Sequence, residues 1–127
     1  MIRVVLLGIV SLFLFACGQS EDKQQASWLP PQGVKGDQAQ GQKQFARLCS
    51  KCHGYQAAGS EKGPPLVHKI YSPDHHADLA FYMAAKNGAS SHHWKFGDMP
   101  PVPAATPENM LDIVAYVRHL QSKAGIF

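Results

Sequence analysis

Cys49-Ser50-Lys51-Cys52-His53 is the stretch on which the reading of this chain turns. Two cysteines two residues apart, followed at once by histidine, are the requirement for covalent haem c attachment. The two thiols form thioethers with the vinyl groups, and the adjacent imidazole offers a ring nitrogen to iron. The chemistry implied is one-electron transfer. A rival reading makes the pair half of a zinc site, with His68, His75 or His76 supplying further ligands. No second Cys-x-x-Cys and no His-x₃₋₅-His pair follows to complete such a site. A redox-active dithiol would want a βαβ setting, and no such pattern surrounds it.

Outward from this motif the pattern is helical, and the expected fold is all-α, with three main helices and long loops wrapped around one cofactor. Asp37 is placed to cap the first helix, with Gln40 at the reciprocal capping position. Phe45, Leu48, Cys49 and Cys52 then fall at i, i+3, i+4 and i+7, so the cysteines extend an apolar stripe. A second helix is expected to open at Ser72-Pro73-Asp74 and to stop at Asn87-Gly88. The third opens at Thr106-Pro107-Glu108, and Met110, Ile113, Val114, Val117 and Leu120 form its stripe. The Gly- and Pro-rich segments 54–66 and 88–105 between them are long enough to wrap a cofactor. No alternating strand pattern stands out.

The chain has 127 residues, which fits one domain, and its formal charge of +3, with no basic run interleaved with aromatics, gives no reason to expect nucleic acid. Residues 1–16 read as a secretory signal, because Arg3 precedes roughly 13 apolar residues, short of the ~20 that span a bilayer as a helix. Leu14-Phe15-Ala16-Cys17 resembles a bacterial lipobox, which implies cleavage before Cys17 and a lipid on its sulfur; the alternatives are an uncleaved anchor, or a signal cut nearby with Cys17 incidental. Cys17 is the third of three cysteines, so none is left for a disulfide. Residues 17–36 then read as a lipid-anchored linker. The stretch from Gly18 spans about 19 residues, with an r.m.s. reach of roughly 25 Å and about 65 Å fully extended. Trp28-Leu29 interrupts its polarity as a local anchor. The domain proper is 37–127, and about 90 residues is small for a self-sufficient core.

Iron needs a sixth ligand, and Met99 is the favoured candidate. Pro100 biases it toward extended backbone and Gly97 permits a tight turn before it, so the loop is stiff enough to hold a thioether toward iron. A thioether favours ferrous iron. Met83 and Met110 fall on apolar helix faces and read as packing residues. His92 and His93 are the open alternatives, which would give bis-histidine iron. Trp94 either donates its indole N–H to a haem propionate or packs against the ring edge. Lys51 and Lys95 offer a basic rim for an acidic partner or are merely solvated. Seven histidines are many for so small a chain. The pairs His75-His76 and His92-His93 receive no role beyond a solvated turn and a loop rim.

In Gly41 and Phe45, Cys49 through Gly54, Gly63-Pro64-Pro65-Leu66, Asp98-Met99-Pro100-Pro101 and Val114-Ala115-Tyr116-Val117, the chain resembles the small monohaem class I cytochromes c. The resemblance covers nearly all of 37–121. It implies one covalently bound haem c with His53 and Met99 as axial ligands, and a helix crossing at Gly41 and Phe45 against Tyr116. It also implies a prolyl carbonyl that accepts the free N–H of His53, with Pro65 favoured and Pro64 open.

With both axial positions filled by protein, the expected function is electron transfer and not enzyme catalysis. The partners would be redox proteins in or at a bacterial membrane, with no small-molecule substrate. The lipid would hold the domain on the periplasmic side. Gly18 lacks the Asp that resembles an inner-membrane retention signal, so the outer membrane is slightly favoured. Two alternatives remain open: a fixed haem subunit of a larger oxidoreductase, and a small-ligand sensor or weak peroxidase if Met99 dissociates.

Overall fold

The computed structural model describes residues 28–127. The signal segment 1–16, Cys17 and the linker up to Ser27 lie outside the described residues. Four α-helices follow in chain order: α1 (Gln38–Leu48), α2 (Ser50–His53), α3 (Asp78–Asn87) and α4 (Pro107–Lys123). Two short 3₁₀ turns, Tyr55–Ala57 and Lys69–Tyr71, separate α2 from α3. The only strand-like features among the described residues are two isolated bridges, Ser60 with Gly63 and Ala89 with Met99. The all-α expectation holds.

Asp37 caps α1 by accepting from the backbone N–H groups of Ala39 and Gln40 at 2.8 and 3.0 Å. The reciprocal bond expected from Gln40 is replaced. The Asp37 N–H donates instead to Asp112 Oδ1 of α4 at 2.8 Å, because an ionised carboxylate outcompetes a neutral amide as acceptor. This bond fixes where α4 crosses α1. At the crossing Gly41 lies so close that a Cβ there would stand 2.0 Å from the Asp112 carbonyl oxygen. One turn on, the Phe45 and Tyr116 rings meet at 5.7 Å, tilted by 57°. The contact implied by the resemblance is present. Helix α1 breaks at Cys49, whose backbone leaves helical geometry, so Cys52 and His53 ride on the separate turn α2.

Helix α3 begins six residues after Ser72, where the proline signal had placed it. The reason lies in Arg118 of α4, whose guanidinium takes the carbonyls of Tyr71 and His76. With the His76 carbonyl engaged, the Ala80 N–H bonds to Ala77 instead, and no ladder forms ahead of it. Residues 72–76 fold as a turn in which the Ser72 carbonyl accepts from both His75 and His76. Helix α4 opens as its sequence predicts, with Thr106 and Asn109 forming a reciprocal capping box and Pro107 in the first turn.

Phe45, Tyr82, Met110, Ile113, Val114 and Val117 form the centre of the core. Gln121, fully buried, donates to the carbonyls of Leu66 and Tyr71 and accepts from Arg118. Trp28 packs against this core with Lys86 Nζ 5.8 Å from its ring centroid, so the end of the linker belongs to the domain's surface. No helix among the described residues is long and apolar enough to cross a membrane.

Candidate functional site

The helices and loops surround a largely apolar cavity of about 830 Å³, and Cys49, Cys52, His53 and Met99 all line it. Residues nearly fifty positions apart in sequence thus meet across one space. Phe45, Met110 and Ile113 bring the hydrophobic core to its inner wall.

His53 is buried, at 9% exposure, and its Nδ1 lies 2.9 Å from the Pro64 carbonyl oxygen. A carbonyl only accepts, so Nδ1 carries the proton and Nε2 keeps its lone pair for a metal. Burial pulls the imidazole pKa below its ordinary value, and the bond to Pro64 opposes this in part. The acceptor corrects the expectation of Pro65. The backbone after Ala57 doubles back, with the Ala57 carbonyl accepting from the N–H groups of Leu66 and Val67. The Pro65 backbone and ring pack against Gly59, which leaves less than 3 Å for a Cβ there. With that segment pinned, it is the residue before Pro65 whose carbonyl reaches His53.

Nothing in the setting of Cys49 activates it as a redox thiol. Cys49 is pushed up to about 11, by burial first and by Cys52 beside it second, whereas reactive thiols are held low. Nor do the cysteines gather zinc ligands. Among the described residues the one group of metal-ligating side chains is His75, His76 and His93.

Met99 is held by its own backbone. It exchanges both hydrogen bonds with Ala89, at 2.9 and 3.0 Å. Gly88 makes this possible: its φ is +79°, and a Cβ there would come within 2.5 Å of the Met99 carbonyl oxygen. Asp98 Oδ1 accepts from the Ser91 N–H at 2.8 Å and closes the loop between them. Met83 and Met110 also line the cavity. Met83 sulfur accepts a weak bond from Asn87 at 3.9 Å, and Met110 is buried between helices.

Trp94 lines the same cavity, and its Nε1 is buried without a hydrogen-bond partner. His68 meets its ring edge-on at 5.2 Å. The Tyr71 hydroxyl lies near the indole N–H without reaching hydrogen-bond geometry; burial raises its pKa, and the indole opposes this in part. An orphaned N–H costs about 1–3 kcal/mol, and an anionic acceptor entering the cavity would remove that cost. A haem with its propionates fits these residues: two thiols, one buried imidazole with a fixed tautomer, a thioether and an unsatisfied indole donor around an apolar space. Lys51 lines the cavity and is exposed, while Lys95 is exposed away from its wall. The basic rim therefore reduces to Lys51.

The histidine pairs, which the sequence reads as a solvated turn and a loop rim with His92 and His93 as alternative iron ligands, come together. His75 and His93 ring nitrogens are 3.4 Å apart, and the His92 and His93 rings lie 4.2 Å apart. Arg118 and Tyr71 were also missed. Arg118 and Gln121 continue the i, i+3, i+4, i+7 stripe from Val114, and polar residues on that stripe were the available signal.

A family model described as Cytochrome c matches residues 38–121. No curated protein matches the chain.

Proposed function

The chain belongs to the cytochrome c family, and from this premise we propose that it is a membrane-tethered carrier of single electrons with His53 and Met99 as axial ligands. The family's cofactor is a covalently attached haem c, and Cys49 and Cys52 carry the spacing for it. When bound, that group supplies a reversible one-electron couple. The convergence of Cys49, Cys52, His53 and Met99 on one cavity carries the reading.

The roles of the residues follow from what each is fixed to. Pro64 orients His53 and raises its basicity as a ligand. The Ala89 bridge holds the Met99 backbone at the cavity without a helix behind it. Met83 sulfur takes a weak bond from Asn87 and Met110 is buried in the core, while His92 and His93 are exposed and Met99 is half-buried, which favours Met99 over its rivals. The apolar walls exclude water, so the charge change on electron transfer meets little solvent reorganisation. Among the described residues of α3 and α4, Leu79 alone is an exposed large hydrophobe. That favours a mobile carrier with brief docking over a fixed subunit. A lipid on Cys17 would keep the carrier near membrane partners at high effective concentration.

Optical spectroscopy of the oxidised full-length protein tests the ligation. A low-spin spectrum with a weak far-red sulfur-to-iron band is expected, and Met99→Ala should abolish the band. A high-spin wild type, or a band that survives the substitution, would refute it. Membrane fractionation tests the tether: Cys17→Ser should move the protein to the soluble fraction, and unchanged membrane retention would exclude lipidation there.

A further inference from the structure

We infer that His75, His76 and His93 form a second metal site, for a divalent transition ion such as zinc, on the rim of the haem cavity. Their ligand nitrogens all lie within 4.8 Å of one another. They come from two turns that sequence separates by more than fifteen residues, so the gathering is made by the fold.

The spacing discriminates between two explanations. An N–H···N bond weakens beyond about 3.2 Å, and the His75 and His93 Nε2 atoms are 3.4 Å apart. Two nitrogens at about 2.0–2.1 Å from a tetrahedral ion stand about 3.3 Å apart, close to the observed separation. The pair is at best a long hydrogen bond, and its spacing is close to what a shared ion requires. The exposed rings need only small side-chain rotations to bring the third nitrogen in.

Outer contacts hold the ligands as metal sites require. His76 Nδ1 is 2.7 Å from the Ile70 carbonyl oxygen, which fixes the proton there and frees Nε2. The His76 carbonyl is held by Arg118, itself anchored on Asp78 at 2.7 Å. The opposite turn is closed by Asp98 on Ser91 and by the Ser91 hydroxyl on the Trp94 carbonyl. His92 stacks on His76 at 5.8 Å with planes 24° apart and packs against His93; it is outside the ligand group, so solvent would take the fourth position. An all-imidazole set suits zinc, copper or nickel and is a poor match for magnesium or calcium. His76 and His93 also line the haem cavity, so the ion would sit at its mouth. This site is independent of the axial ligands, and its failure leaves the reading of Met99 untouched.

Titration calorimetry with zinc chloride into the haem-loaded full-length protein, in a non-coordinating buffer, tests the site. One zinc per chain is expected. His75→Ala and His93→Ala should each weaken binding at least about tenfold, the lower end of what even an outer partner of a zinc ligand contributes. His119→Ala, on α4 outside the cluster, should bind as the wild type does. Cupric ion in place of zinc should give an electron paramagnetic resonance signal split by several imidazole nitrogens. Far-ultraviolet circular dichroism, which does not depend on the axial ligands, checks that each variant is folded. No binding, or binding that the His75 and His93 substitutions leave intact, overturns the inference, as does equal loss in His119→Ala.

Discussion

Tyr82 is only 1% exposed, yet its hydroxyl finds no hydrogen-bond partner among the described residues. Burial, followed by the carboxylates of Asp78, Asp112 and Glu108, pushes its pKa from 10.0 to about 12. The unfolded chain releases this proton first as pH rises. Tyr82 therefore leaves stability unchanged below pH 10.0 and erodes it as pH climbs toward about 12. Tyr82→Phe should raise stability at neutral pH by about 1 kcal/mol and flatten the alkaline loss. Urea melts at neutral and alkaline pH read both, and a lowered midpoint at neutral pH would contradict it. A second residue-scale case is Gly88, where Ala would meet both the left-handed backbone and the Met99 carbonyl. Gly88→Ala should cost about 1–2 kcal/mol from backbone strain alone and weaken the far-red band by displacing Met99. A spectrum identical to wild type would show that the Ala89 bridge does not position the sulfur. The sequence disclosed Gly97 as the loop's turn, but the glycine against Met99 is Gly88, which primary structure shows only as a helix stop. That distinction depends on which strands of loop meet.

Among elements, the α1–α4 crossing is the tightest contact, and one glycine sets it. Gly41→Ala would force a Cβ to within 2.0 Å of a backbone oxygen on α4 and 2.9 Å of Tyr116 Cβ. Backbone cannot rotate aside as a side chain does, so the loss should reach about 3 kcal/mol, the upper end for overpacking. Chemical denaturation of the haem-loaded protein measures it, and a loss under 1 kcal/mol would mean the helices slide freely. Helices α1 and α4 were legible because their caps, Asp37 and Thr106, act locally and their apolar spacing is regular. The start of α3 was not. Ser72-Pro73 is a good local signal, but Arg118, more than forty residues away, captures the carbonyl that the ladder needs. The same blindness explains Pro64: the motif shows two consecutive prolines, and only the folding of 57–67 on Ala57 decides which carbonyl reaches His53. Cys49, Cys52, His53 and Met99 were readable because spacing and flanking prolines constrain them before any tertiary contact forms.

For the whole molecule, the cavity of about 830 Å³ sets the dependence on cofactor. At about 24 cal/mol per Å³, leaving such a space unfilled bears a penalty of up to about 20 kcal/mol, more than the 5–15 kcal/mol by which domains are usually stable. Cys49→Ala with Cys52→Ala should therefore yield a chain without a sharp thermal transition and with dye-accessible apolar surface. Calorimetry of that double variant decides, and a cooperative melt near the wild-type temperature would mean the polypeptide closes on itself. Trp28, clamped against the core beneath Lys86, has a different consequence. Only residues 18–27 separate it from Cys17, and so short a piece of chain reaches at most about 40 Å. On the proposed lipid anchor, that figure would be a ceiling on the height of Trp28 above the bilayer, with the domain's own breadth added to it. A redox partner whose port lies within this shallow layer can be served, and one that opens higher cannot. On that anchor the tryptophan would select partners by altitude, without ever touching them.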